Sequence, residues 1–151
     1  MKSRRRRFGF YPIAAALVVM LAIMTTGTGV WAADVVVVAN KNVSQSALSA
    51  DNLKAIFLGQ MTTWQNGAKL EFVTLKDNSE VHEEFLKKFI GRSPAQFGNY
   101  WKQQVFTGKG RMPKQFDSES QLIDFVSSTE GAIGYVSGGA AKGITKVISI
   151  N

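Results

Sequence analysis

Apolar positions along the chain fall into runs of two kinds. Val35 to Ala39 is a block of small or β-branched apolar residues ending at Asn40, the pattern of a strand buried on both faces and so central in a sheet covered by helices. Leu70 to Leu75 predicts a second strand, closed by the polar turn Lys76-Asp77-Asn78. Gly131 to Val136 predicts a short buried strand whose glycines permit close backbone approach, and Ile144 to Ile150 a last one. Between these runs the spacing turns helical. Ser49 can cap a helix reaching Leu58, with Leu53, Ile56 and Phe57 as its apolar stripe and Gly59 as its left-handed stop. A second helix is expected from near Ser79 to Gly91, with Val81, Phe85, Leu86 and Phe89 on one face. Ser93-Pro94-Ala95-Gln96 has the form of a capping box with proline where a missing N–H costs nothing, and the helix it opens runs to about Phe106 before Gly108-Lys109-Gly110. Asp117 or Ser118 opens a fourth helix with Leu122, Ile123, Phe125 and Val126 apolar. The order strand, helix, strand, three helices, strand, strand implies an α/β fold with a mixed, mainly parallel sheet and helices on its faces.

The N-terminus follows a different logic. Lys2 and Arg4 to Arg7 precede an apolar stretch, uninterrupted from Ile13 to Met24, and a short polar region ends at Ala32 and Ala33. This is the order of a secretory signal peptide, and the apolar core falls short of the roughly 20 residues a membrane span needs. Val30 and Ala32 are the small residues a signal peptidase inspects, so residues 1–32 are read as a leader cleaved after Ala32, with 33–151 as one exported, periplasmic domain. An uncleaved N-terminal anchor is the rival reading. Arg5, Arg6 and Phe8 also fit a twin-arginine signal loosely, although Arg4 and the strongly apolar core favour ordinary secretion.

The leader changes the meaning of the charge. It carries five of the 18 basic residues and none of the 11 acidic ones, so the formal +7 falls to +2 for residues 33–151 and gives no reason to invoke nucleic acid. The absence of cysteine excludes disulfides and thiolate chemistry, leaving stability to the core. Just under 120 residues suffice for one domain with a single core.

Four segments, spread in order over nearly the whole of 33–151, resemble one lobe of the phosphate-binding proteins of ABC transporters, within the type II periplasmic binding protein superfamily. They are Leu48-Ser49-Ala50-Asp51-Asn52-Leu53-Lys54-Ala55-Ile56-Phe57-Leu58-Gly59, then Trp64, then Phe106-Thr107-Gly108-Lys109 with Pro113, and Gly131-Ala132-Ile133-Gly134-Tyr135-Val136. The likeness is greatest to short single-lobe relatives. It implies a solute-binding protein for phosphate or a similar oxyanion, working with an ABC permease and having no enzymatic activity or cofactor. It also places the ligand contacts at Lys76, Asp77, Asn78 and Ser79, in the loop after the second strand. There the family reads approximately R-x-D-x-S-G-T. Asp77 and Ser79 match, whereas Leu75 replaces the arginine, Glu80 the glycine and Val81 the threonine. A bidentate donor and a hydroxyl are thereby lost, and a carboxylate stands beside the anion's place, so the site is degraded. Lys76 substitutes for the arginine only as a point charge. A homodimer or a partner lobe would be needed to enclose the ligand, and a ligand-free interaction module at the cell envelope is the alternative reading.

The other candidates have plainer explanations. Ser79 also serves as a helix cap, and Asp77 as a turn residue. His82 is the single histidine, beside Glu83 and Glu84. With no cysteine and no second histidine, it is expected to be a solvated surface residue, neither a metal ligand nor a general base. No nucleophile and base stand at a readable spacing, which leaves a small hydrolase without support. Trp64, Trp101, Phe57, Phe72, Phe85 and Phe97 are expected in the core. Gly108-Lys109-Gly110-Arg111 lacks the preceding strand and following helix of a P-loop and is read as a flexible loop. Lys87 and Lys88 belong to the polar side of their helix.

Overall fold

The structure, a computed structural model, describes residues 34–141 and 143–151. The leader read in the sequence at residues 1–32 therefore lies outside the described residues. The strands are β1 (Val35–Ala39), β2 (Ala47–Leu48), β3 (Glu71–Leu75), β4 (Lys114–Phe116), β5 (Ala132–Ser137) and β6 (Lys146–Ile150), and the helices are α1 (Ala50–Phe57), α2 (Glu80–Phe85), α3 (Pro94–Phe106) and α4 (Glu119–Ser128). They build one six-stranded sheet in the order β2-β6-β1-β5-β3-β4. Three pairings are parallel (β2 with β6, β3 with β4, β3 with β5), and β1 runs antiparallel to both β5 and β6. The fold is thus α/β with a mixed, mainly parallel sheet, and the all-apolar β1 lies inside it as its sequence requires.

Helices cover both faces. On one, Gly134 lies under Leu122 of α4, so close that a Cβ there would stand 2.8 Å from a leucine methyl. On the other, the adjacent Tyr135 meets Phe57 of α1 and Phe85 of α2, the latter ring stacked at 3.8 Å. Successive residues of a strand point to opposite faces, so this glycine–tyrosine step lets β5 receive a helix closely on one side and an aromatic cluster on the other. Trp64, Trp101, Phe57, Phe85 and Phe97 are buried and Phe72 is packed against them, as expected for core residues.

Helix ends follow their sequence signals. Ser49 caps α1 on the Asn52 amide, and Gly59 follows with φ 71°. Ser93 and Gln96 form the reciprocal capping box at α3, and Ser118 caps α4 on the Gln121 amide. Two departures concern length. The helix expected as one piece to Gly91 is α2 followed by a wider π turn, Leu86–Ile90, closed by the Gly91 amide on the Leu86 carbonyl at 2.7 Å. β2 and β4 went unpredicted because two and three residues are too few to show a period, and both are edge strands made by backbone pairing.

One turn has no room for a side chain. Gly131 has φ 70°, its carbonyl accepts from the Trp64 indole at 2.9 Å, and a Cβ would fall 2.1 Å from the Lys69 carbonyl oxygen. Gly131→Ala is therefore expected to lose about 3 kcal/mol in urea unfolding, against about 1 kcal/mol for Gly67→Ala, where φ is equally positive and the space is open. Equal losses would show that the contact with Lys69 is not the constraint.

Candidate functional site

The four candidate residues occupy the turn between β3 and α2. The Ser79 amide donates to the Lys76 carbonyl at 3.0 Å, closing the turn, and the Lys76 amide donates to the Phe116 carbonyl at 3.0 Å, tying the turn to the end of β4. Ser79 then caps α2. Its hydroxyl accepts from the His82 amide at 3.3 Å and its carbonyl from the Glu83 amide at 3.1 Å. The first-turn N–H groups that remain for an anion are those of Glu80 and Val81.

Side chains at the turn already have neighbours. The Lys76 ammonium pairs with the Asp117 carboxylate. The Asp77 carboxylate stands 3.5 Å from the Gln115 amide nitrogen and 3.6 Å from Nε2 of His82. Asn78 and Glu80 are exposed. The turn and the residues beside it thus carry three carboxylates, those of Asp77, Glu80 and Asp117, and one ammonium, that of Lys76. The turn thus brings Lys76, Asp77, Asn78 and Ser79 together as consecutive residues, on the open surface of a single lobe.

His82 corrects the sequence expectation. It is fully buried, not solvated. Its ring lies 5.9 Å from that of Phe97, and its Nδ1 bonds to the hydroxyl of Tyr135, which accepts the Leu75 amide at 3.1 Å. With that amide donating to the phenol oxygen, the phenol proton is available to Nδ1. The neutral ring then carries its own proton on Nε2, which faces Asp77 and has no hydrogen-bond partner. The pattern held a signal for this. His82, Phe85, Leu86 and Phe89 repeat at i, i+3, i+4 and i+7, so the histidine belongs to the apolar stripe. Among the described residues no cluster of His, Asp and Glu could hold a metal ion.

Burial lowers the His82 pKa from its ordinary 6.5, and the opposing attraction of Asp77 is the smaller effect; burial likewise pushes the Tyr135 phenol up. Below pH 6.5 the unfolded chain binds a proton that the folded chain resists, so stability is full above that value and declines as pH falls toward the depressed folded value. The urea midpoint is expected to drop between about pH 7 and about pH 5.5, and to drop less in His82→Gln. An unchanged pH dependence in that variant would assign the effect to other groups.

Set beside known proteins, residues 23–148 match the model of the PBP superfamily domain. A search of curated proteins finds no match. Among solved structures, an ABC-type phosphate transport receptor from Vibrio cholerae superposes with TM-score 0.62 at 20% identity, over 78% of this chain and 46% of the receptor. PstS from Borrelia burgdorferi gives 0.62 at 19%, over 78% and 47%. A Clostridium perfringens protein solved with bound phosphate gives 0.63 at 19%, over 78% and 44%. The chain spans less than half the length of each of these proteins, and at such identities the likeness is one of fold. A sheet wrapped by helices on both faces, a family match over most of the sequence and superposition on one part of phosphate receptors agree, and the chain belongs to the PBP superfamily.

Proposed function

We propose that the chain is an exported, periplasmic solute-binding lobe without enzymatic activity, which takes phosphate or a related oxyanion weakly at the β3–α2 turn. The observation that carries this reading is the position of Ser79, which opens a helix at the C-terminal end of a sheet strand in a fold shared with phosphate receptors. An anion there would meet the Glu80 and Val81 amides, with Lys76, Asn78 and Ser79 supplying donors and Asp77 accepting from a protonated oxyanion.

Weakness follows from the chemistry. A ceiling of about 1.5 kcal/mol per heavy atom gives phosphate about 7.5 kcal/mol in a complete shell, or low-micromolar binding. Half a shell, open to water and with three carboxylates in or beside the turn, belongs nearer the millimolar range. Tighter binding would require a second copy, a partner lobe or an ABC permease to cover the open side. The pairing of Lys76 with Asp117 favours a second reading, a ligand-free interaction module at the cell envelope, because the one ammonium at the turn is already engaged.

Thermal unfolding of residues 33–151 at low ionic strength, with phosphate, sulfate and chloride titrated separately, decides between them. A ligand bound only to the native state raises its stability by RT ln(1 + [L]/Kd). The expected result is a larger rise with phosphate than with either other salt at about millimolar concentration, and a smaller rise in Ser79→Ala. Because that variant also loses a cap, the quantity compared is the phosphate-dependent shift within each protein. Equal responses to all three salts would sink the oxyanion reading and leave the interaction module.

A further inference from the structure

Phe106, the last residue of α3, is 92% exposed, and Val105 beside it and Met112 in the following loop are 43% and 48% exposed. A ring so exposed adds little to the core, although Phe106 opens one of the segments on which the family resemblance rests. α3 is anchored by Phe97 and Trp101, and Phe106 lies five residues beyond Trp101, turned away from the buried stripe. The surroundings are basic. From Lys87 to Phe116 the sequence has seven lysines and arginines and no acidic residue, which leaves the rest of 33–151 with a charge of −5. Lys88 pairs with Asp34, and Lys114 lies over the Phe125 ring. Lys102, one turn before Phe106, and Lys109 and Arg111, just after it, remain around the apolar tip. All three are exposed.

The backbone of the tip is closed on itself. The Thr107 amide and hydroxyl donate to the Gln103 carbonyl, the Gly108 amide to Val105 and the Lys109 amide to Gln104, all at 2.9 to 3.1 Å. Gly110 folds back onto Trp101, where a Cβ would stand 3.0 Å from the indole. The carbonyls of Gln103, Gln104 and Val105 are thus satisfied within the turn, the ordinary closure of a helix C-terminus. Among the described residues no helix is long and apolar enough to cross a membrane, so any such contact is peripheral.

We propose that the C-terminal end of α3 and the loop after it form a docking surface for an anionic phospholipid bilayer, with Phe106, Val105 and Met112 entering the headgroup region and Lys102, Lys109 and Arg111 facing lipid phosphates. Apolar side chains ringed by cations are the chemistry of interfacial binding, and neither component suffices alone. The negative remainder of the domain turns this end toward an anionic surface before contact.

The test is co-flotation of residues 33–151, which contain all the described core, with vesicles of phosphatidylcholine alone or with about one third phosphatidylglycerol, at low and high salt. Leaving out residues 1–32 removes a basic, apolar segment that would bind vesicles by itself. Binding is expected to the anionic vesicles and to weaken at least about tenfold in Phe106→Ser and in Lys102→Gln/Lys109→Gln/Arg111→Gln, with unfolding midpoints unchanged because all four side chains are exposed. Absence of flotation with anionic vesicles at low salt would overturn the proposal and turn attention to an acidic protein partner. Flotation unaffected by Phe106→Ser would overturn it as well.

Discussion

The phenol of Tyr135 is the constraint on which this lobe is organised. It sits in a strand whose neighbours Ala132 to Val136 are otherwise apolar and wholly buried, so its hydroxyl has no water to turn to. It accepts the Leu75 amide from β3 and bonds to His82 of α2, while its ring stacks on Phe85. One side chain therefore fixes the end of β3, the start of α2 and the distance between them. An unpaired buried polar group costs about 1–3 kcal/mol, so the arrangement holds together or fails together. Gly134, one residue earlier, admits α4 on the opposite face for the complementary reason that it has no side chain.

The position of the turn and the engagement of its polar groups have a common origin. Residues 76–79 lie between two segments that Tyr135 holds, which places a helix start at the end of a parallel strand, where an anion is favoured. The contacts that fix the turn also occupy its polar groups. The Ser79 hydroxyl takes the His82 amide, Lys76 takes Asp117, and Asp77 faces the His82 imidazole. On the proposed oxyanion reading, few groups at the turn are then free to replace the hydration shell of phosphate.

Most of the fold was legible in the sequence. The valine block of β1, the capping box at Ser93 and the left-handed Gly59 each express one local preference strongly enough that tertiary contacts had nothing to override. β2 and β4 were not legible, because two or three residues on a sheet edge owe their conformation to a partner strand and carry no periodic signal. The candidate turn is marked in the sequence by the match of Asp77 and Ser79 to a family loop. The electrostatics of the turn are not legible there, since Asp117 comes to Lys76 from 41 positions away. His82 shows the other kind of miss. Its polarity points to the surface and its place on the stripe with Phe85 and Leu86 to the core, and a histidine with a buried phenol to bond is as acceptable in a core as the aromatic residues around it.

The basic tip at Phe106 differs from all of this in that its ring, though part of a segment shared with the family, is not packed into the core. α3 would bury the same Phe97 and Trp101, and keep the same Tyr100 hydroxyl on the Leu58 carbonyl, with a polar residue at 106. The turn after it satisfies its own backbone, so the aromatic ring contributes nothing to closing the helix. An apolar ring held out in water, on a rigid support and among cations that mostly have no carboxylate nearby in sequence, is a cost that folding does not recover. Under the proposal, a surface apolar inside and anionic outside would recover it, since it matches apolar contact inside a cationic border.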